Sequence, residues 1–206
     1  MKSLLETYKK LFHESRGWIL FAVVLALVWV GAGAFLVSTF PGLFPRYLSF
    51  LHETFNKLLG DIGEKTRLEL AVLLFGQNFR ATVLDLGLGL FFGIVPVVSI
   101  AFNFFALGFL GGTFLRPDIF FAKDYSFSTF FLSIAPHGVF ELPALIIGAA
   151  FGLRLGWRWL LPASTGRRWK SLREDLLAAI MIVPVLFVLL LIAAFVEAYV
   201  TGALVR

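Results

Sequence analysis

The sequence predicts an all-α protein: a polytopic bundle of about five transmembrane helices, with kinked or broken members and peripheral amphipathic helices. Three observations carry that prediction. Hydrophobic residues fill 59% of the 206 positions and charged ones only 15%, a balance unlike that of a soluble domain. The apolar residues are gathered into tracts of about 20 or more, the length that crosses a hydrocarbon core as a helix. Lysines and arginines sit in the flanks of those tracts, where they act as topology signals and contacts to anionic lipid rather than as a nucleic-acid surface. The chain has no cysteine, which excludes disulfides, thiolate chemistry and cysteine-based metal sites.

Residues 1–17 have the pattern of a cytoplasmic amphipathic helix. Ser3 and Glu6 have capping-box spacing, and Leu4, Leu5, Tyr8, Leu11 and Phe12 share one side. Residues 18–206 then form a single membrane domain. Its first span covers about 18–38, too long for a signal-peptide core, and Pro41, Gly42 and Pro45 mark the exit. Residues 46–65 form a second amphipathic segment, apolar at Leu48, Leu51, Phe55 and Leu59 and polar at Glu53, Asn56 and Asp61, expected on the outer surface. The long apolar tract from Arg67 to Leu115 suits two crossings, about 68–94 and 96–115, with the turn at Gly93–Pro96. Two further spans lie at about 129–153 and 176–200.

The densest basic stretch holds Arg154, Arg158, Arg167, Arg168, Lys170 and Arg173, just before the last span. Basic residues close to helix ends favour the cytoplasmic side. The protein is therefore expected as a multi-pass cell-membrane protein with its N-terminus in the cytoplasm and its C-terminus outside.

Ionisable groups inside spans are costly and mark sites or buried pairs. The fourth span carries His137 and Glu141 one helical turn apart, on a stripe that continues from Ser133 through Ala144, Gly148 and Gly152. Pro136 and Pro143 flank the pair and are expected to kink or break the helix. The second span carries Asn78, Thr82, Asp85, Gly89 and Gly93 on one stripe, with Arg80 nearby; the third carries Ser99 and Asn103, and a small-residue pair at Gly108 and Gly112. The topology puts Asn78, Arg80 and Asp85 at the depth of His137 and Glu141, with Glu197 reaching the same layer. A pairing of Arg80 with Glu141 or Asp85 is expected.

Asn78, Arg80, Asp85, Asn103, His137, Glu141 and Glu197 thus form the candidate polar core, whether for binding or for helix register. His137, Glu141, Asp85 and Glu197 also offer zinc-type ligand atoms. Ser133, one turn before His137, suggests a serine–histidine pair, but no orienting group or oxyanion hole accompanies it. No catalytic residue and no cofactor follow from the sequence.

Four blocks, FGQNFRATVLDLGLGLFFG, AFNFFALGFLGG, APHGVFELPALIIGAAFG and FVEAYVT, resemble the stage II sporulation protein M family of integral membrane proteins. The similarity runs from about Leu68 to Thr201. The family pattern falls on Asn78 and Arg80, Asn103 and Gly108, Pro136, His137, Gly138, Glu141 and Pro143, Gly148 and Gly152, and Glu197 and Thr201. It departs at Gly202, where many relatives have proline. The resemblance implies about five spans and, from the family's namesake in endospore formers, a membrane scaffold for peptidoglycan-remodelling enzymes. Members outside spore formers show that the sporulation role does not transfer by itself.

The expected function is a non-enzymatic organiser of an envelope or membrane complex. A transporter, channel or lipid-moving protein built on the polar layer is the alternative, and a metal-dependent intramembrane hydrolase ranks third. The expected partners are the lipid bilayer, one or more membrane or envelope proteins and a second copy of the chain, but not nucleic acid.

Overall fold

A computed structural model describes residues 3–40, 65–114, 127–161 and 168–201. Among them every regular element is helical: α1 (Leu4–Thr39), α2 (Arg67–Leu88), α3 (Ile94–Phe114), α4 (Phe127–Trp157) and α5 (Arg168–Val196). A short 3₁₀ turn, Arg158–Leu160, comes after α4, and a π turn, Glu197–Thr201, continues α5. The amphipathic segment at 46–65 lies almost wholly outside the described residues.

Among the described residues, four helical segments are long and apolar enough to cross a membrane: Leu4–Thr39, Ile94–Thr113, Ile134–Leu160 and Arg168–Val200. With 22 residues, α2 has the necessary length, but Gln77, Asn78, Arg80 and Asp85 lower its hydropathy. It is the polar member of the bundle.

α1 is one continuous helix of 36 residues, about 54 Å at 1.5 Å per residue. The division expected between a surface helix at 1–17 and a span from 18 is not observed. Ser3 caps the helix, its Oγ accepting from the Glu6 amide, and no proline interrupts it from Leu4 to Thr39. Gly17 lies in open space and costs a helix only about 1 kcal/mol. The N-terminal part docks on the bundle: the Tyr8 hydroxyl donates to the Met181 carbonyl at 3.1 Å, Leu11 is buried, and Phe12 meets Phe151 edge-on. Leu4 and Leu5, at the start of the same stripe, stay exposed.

The turn between α2 and α3 falls earlier than expected. α2 ends at Leu88 rather than near residue 94, and residues 89–93 form the reversal, with Phe92 and Gly93 both at positive φ. Pro96 lies in the first turn of α3, where its missing N–H breaks no intrahelical bond. Trp157 lies against the reversal, its indole Nε1 donating to the Phe92 carbonyl, while Leu90, Phe91 and Phe92 turn apolar side chains outward.

α4 runs unbroken through Pro136 and Pro143, so of the kink or break expected there, the break does not occur. Proline inside a spanning helix is tolerated when neighbouring helices support the freed backbone, and α4 is the central helix. Both hydrophobic clusters include it, one with α1, α2 and α5 around Leu86, Phe151, Ile182 and Leu186, the other with α1 and α3 around Ala22, Ile100, Phe104 and Ala150. α5 also holds a proline, Pro184, and starts at Arg168, eight residues before the expected 176.

Two seams of small residues bring backbones together. Gly33 of α1 lies against Phe105 and Gly108 of α3, and Gly89 lies against Gly152 of α4, each so close that a Cβ would overlap the opposing backbone. This is the packing by which helices associate without help from the hydrophobic effect. Outward faces remain apolar, as at Leu20, Val24, Leu27, Phe35 and Phe102. At one end of the bundle the start of α1, the 89–93 turn, the end of α4 and the start of α5 come together. Trp157 packs on both Trp18 and Phe21 there.

Candidate functional site

The small-residue stripes of α2 and α4 pack against each other in register. Gly156 meets Gly89 and Gly93, Gly152 meets Asp85 and Gly89, and Gly148 receives the Thr82 methyl. Continuing up this seam by one turn on α2 and two on α4 brings Asn78 to Glu141. The Asn78 Nδ2 donates to Glu141 Oε1 at 3.0 Å. The Thr82 hydroxyl donates to the Asn78 carbonyl at 2.8 Å, fixing the same turn from below.

Glu197 arrives from α5. It opens the π turn, a widened turn common at functional positions. The C-terminal half of α5 is held to α2 by Phe75, Phe79 and Phe187, whose ring centroids lie 5.0–5.5 Å apart, and the π turn by the Arg67 guanidinium over the Tyr199 ring. One ligand atom from each of His137, Glu141 and Glu197 lies within 4.8 Å of the other two. All three side chains, and Asn78, are half-buried. Among the described residues no lysine or arginine forms an ion pair with either carboxylate.

Of the seven residues expected in the polar core, four therefore assemble: Asn78, His137, Glu141 and Glu197. Asp85 does not join them. Two turns further along α2, it is buried between Gly152 and the Ser99 side chain, with Oδ1 lacking a hydrogen-bond partner among the described residues. Asn103 is exposed and turns back on its own helix, its Nδ2 donating to the Ser99 carbonyl at 2.9 Å. Arg80 is exposed and pairs with neither Glu141 nor Asp85. The reason is geometric: Arg80 is two residues from Asn78, about 200° around α2, so it cannot share Asn78's face. Ser133's side chain lies outside what is described.

A second cluster was not expected. Arg154 and Asp175 are almost completely buried, and the guanidinium Nε donates to Asp175 Oδ1 at 2.8 Å. A second Arg154 nitrogen donates to the Ser15 hydroxyl at 2.6 Å. Arg158, more exposed, donates to the same Asp175 oxygen at 2.6 Å and pairs with Glu174 at 3.4 Å. Three helices, α1, α4 and α5, are thereby tied at the end that holds the 89–93 turn. In the sequence Arg154 and Arg158 stand with the other basic residues as topology signals. The available hint was their four-residue spacing, matched by adjacent acids at 174 and 175.

Imidazole and two carboxylates at this separation can hold a cation or exchange a proton. The fold and the site together define a multi-pass helical membrane protein with a half-buried polar cluster shared by three helices.

That description fits the family comparison. The chain belongs to the stage II sporulation protein M family, which matches residues 20–202. It is also 26% identical over 125 residues to an uncharacterised protein of the archaeon Methanocaldococcus jannaschii, covering 61% of this chain and 67% of that protein. No solved structure matches it significantly.

Proposed function

We propose that the protein is a non-enzymatic membrane organiser that holds an envelope or membrane complex together. The observation that carries this is the close packing of the bundle along both seams. Gly33 against Gly108 and Gly89 against Gly152 leave no room even for a methyl group, and buried Arg154 bolts α1, α4 and α5 together. A transporter of the alternating-access kind must rock one group of helices against another; seams this tight favour a fixed platform. Membership of the stage II sporulation protein M family supports the same role. The end with Arg154, Arg158, Arg168, Lys170 and Arg173 faces the cytoplasm, as the positive-inside rule favours, and the amphipathic stretch 46–65 supplies the docking surface on the other side.

Affinity purification from native membranes tests this. A stoichiometric partner should stay bound to the wild type, to His137→Ala and to Glu141→Ala, and should be lost when 46–65 is deleted. A chain that purifies alone in every case overturns the proposal.

Transport is the second possibility, favoured by the convergence of His137, Glu141 and Glu197. Purified protein in liposomes would then carry an ion or lipid flux that Glu141→Gln abolishes.

A further inference from the structure

We propose that His137, Glu141 and Glu197 form a binding site for a divalent first-row transition-metal cation, with Asn78 as the residue that positions Glu141. The proposal is independent of the organising role and concerns what occupies the polar centre.

The first argument is geometric. His137 and Glu141 are one turn apart on α4, so both side chains reach a single point from one rigid helix, and Glu197 reaches it from α5. Their ligand atoms already lie within 4.8 Å of one another. Ligands about 2.1 Å from a tetrahedral ion are about 3.4 Å apart, so small side-chain rotations close the site without moving a helix. Three protein ligands leave a fourth position for water or for a group from a partner, the usual form of an open zinc-type site.

The second argument is charge. Two carboxylates are brought together inside the bundle, and no arginine or lysine among the described residues pairs with them. Arg80, the nearest in sequence to Asn78, is exposed elsewhere. A divalent cation cancels both negative charges at once, and the imidazole adds a neutral donor. No side chain among the described residues brings a charge of that size to this point.

The third argument is the support of the ligand. The Asn78 amide donates to Glu141 Oε1 at 3.0 Å, leaving Oε2 for a metal, and Thr82 fixes the turn that carries Asn78. Outer hydrogen bonds of this kind orient metal ligands. One nitrogen and two oxygen donors suit zinc, manganese or iron(II) better than magnesium, which prefers an all-oxygen octahedron that keeps its water.

The test uses the full chain, without a polyhistidine tag, purified in detergent, stripped with chelator and titrated with Zn²⁺. Metal content and the metal-dependent shift in melting temperature are measured together. The expected result is one zinc per chain, an upward melting shift, no competition from excess Mg²⁺, and loss of both signals in Glu141→Gln and Glu197→Gln. Asn78→Ala should keep the stoichiometry but weaken binding by about 10- to 100-fold. Should the Gln variants fail to fold, X-ray absorption at the zinc edge of the wild type decides, with one imidazole and otherwise oxygen ligands expected. Absence of stoichiometric zinc, retention of zinc by folded Gln variants, or a multi-imidazole environment each overturns the proposal. None of these outcomes bears on partner capture, so the two proposals fail separately.

Discussion

Replacing Arg154 with glutamine should destabilise the protein far more than the same change at Arg158, four residues on. Both side chains contact the same Asp175 oxygen, at 2.8 and 2.6 Å, so pair distances alone predict similar effects. Burial separates them. The Arg154 side chain is 4% exposed and Asp175 wholly buried, whereas Arg158 is 36% exposed. Removing Arg154 leaves the wholly buried Asp175 with only the part-exposed Arg158 and takes the donor from the Ser15 hydroxyl, a loss of up to about 3–5 kcal/mol. Losing Arg158 removes an interaction that water already screens, and leaves Asp175 with Arg154, for about 1 kcal/mol or less. For a chain of this length, each kcal/mol shifts the melting temperature by roughly 2–4 °C. Arg154→Gln should therefore melt lower by up to roughly 20 °C and by more than Arg158→Gln, which should stay within roughly 4 °C of the wild type. Melting of the detergent-solubilised protein, followed by circular dichroism, measures both. A double variant, Arg154→Met with Asp175→Leu, should be more stable than Arg154→Gln, because no buried carboxylate is left with a part-exposed partner alone. Equal losses at Arg154 and Arg158, or a double variant no better than the single one, would refute the burial argument.

The other predictions concern packing. Gly89→Ala places a methyl group on the backbone of Gly152 and should cost about 1–3 kcal/mol or more, whereas Gly31→Ala, in open space on α1, should be neutral or stabilise by up to about 1 kcal/mol; the same melting assay compares them, and a harmless Gly89→Ala would mean that the α2–α4 seam is loose enough to admit a methyl group. Leu11→Ala should cost about 2–5 kcal/mol, since Leu11 is buried against the bundle. A loss below about 0.5 kcal/mol, the range of ordinary surface changes, would mean that the N-terminal part of α1 lies on the membrane surface after all.

How far the site could be read from the chain depended on whether its parts lie on one helix. His137 with Glu141, and Gly148 with Gly152, follow from a repeat of 3.6 residues, because helix geometry is local and strong in an apolar tract. The Asn78, Thr82 and Gly89 stripe emerges in the same way, and matching two such stripes brings Asn78 to Glu141. Arg80 shows where that reasoning stops. It has the right charge and depth to pair with Glu141, and fails because it points the wrong way around α2. Asp85 fails by two turns of height. For Asp175, the four-residue spacing of Arg154 and Arg158 hinted at pairing but not at burial, since an acid beside several basic residues also suits a solvated face.

Composition and periodicity, then, determined an all-helical membrane chain, the approximate position of each helix, and which residues share a face, because each of these depends on neighbours within a turn or two. Tertiary structure decided that α1 is one helix docked at Tyr8, Leu11 and Phe12 as well as at Gly33, that α4 stays unbroken through two prolines, and that Arg154 is buried on Asp175 and Ser15. It also decided which four of the seven polar candidates meet. Those outcomes depend on the rotation and height of one helix relative to another, which are set where backbones touch at the glycine seams and cannot be expressed by any single stretch of sequence.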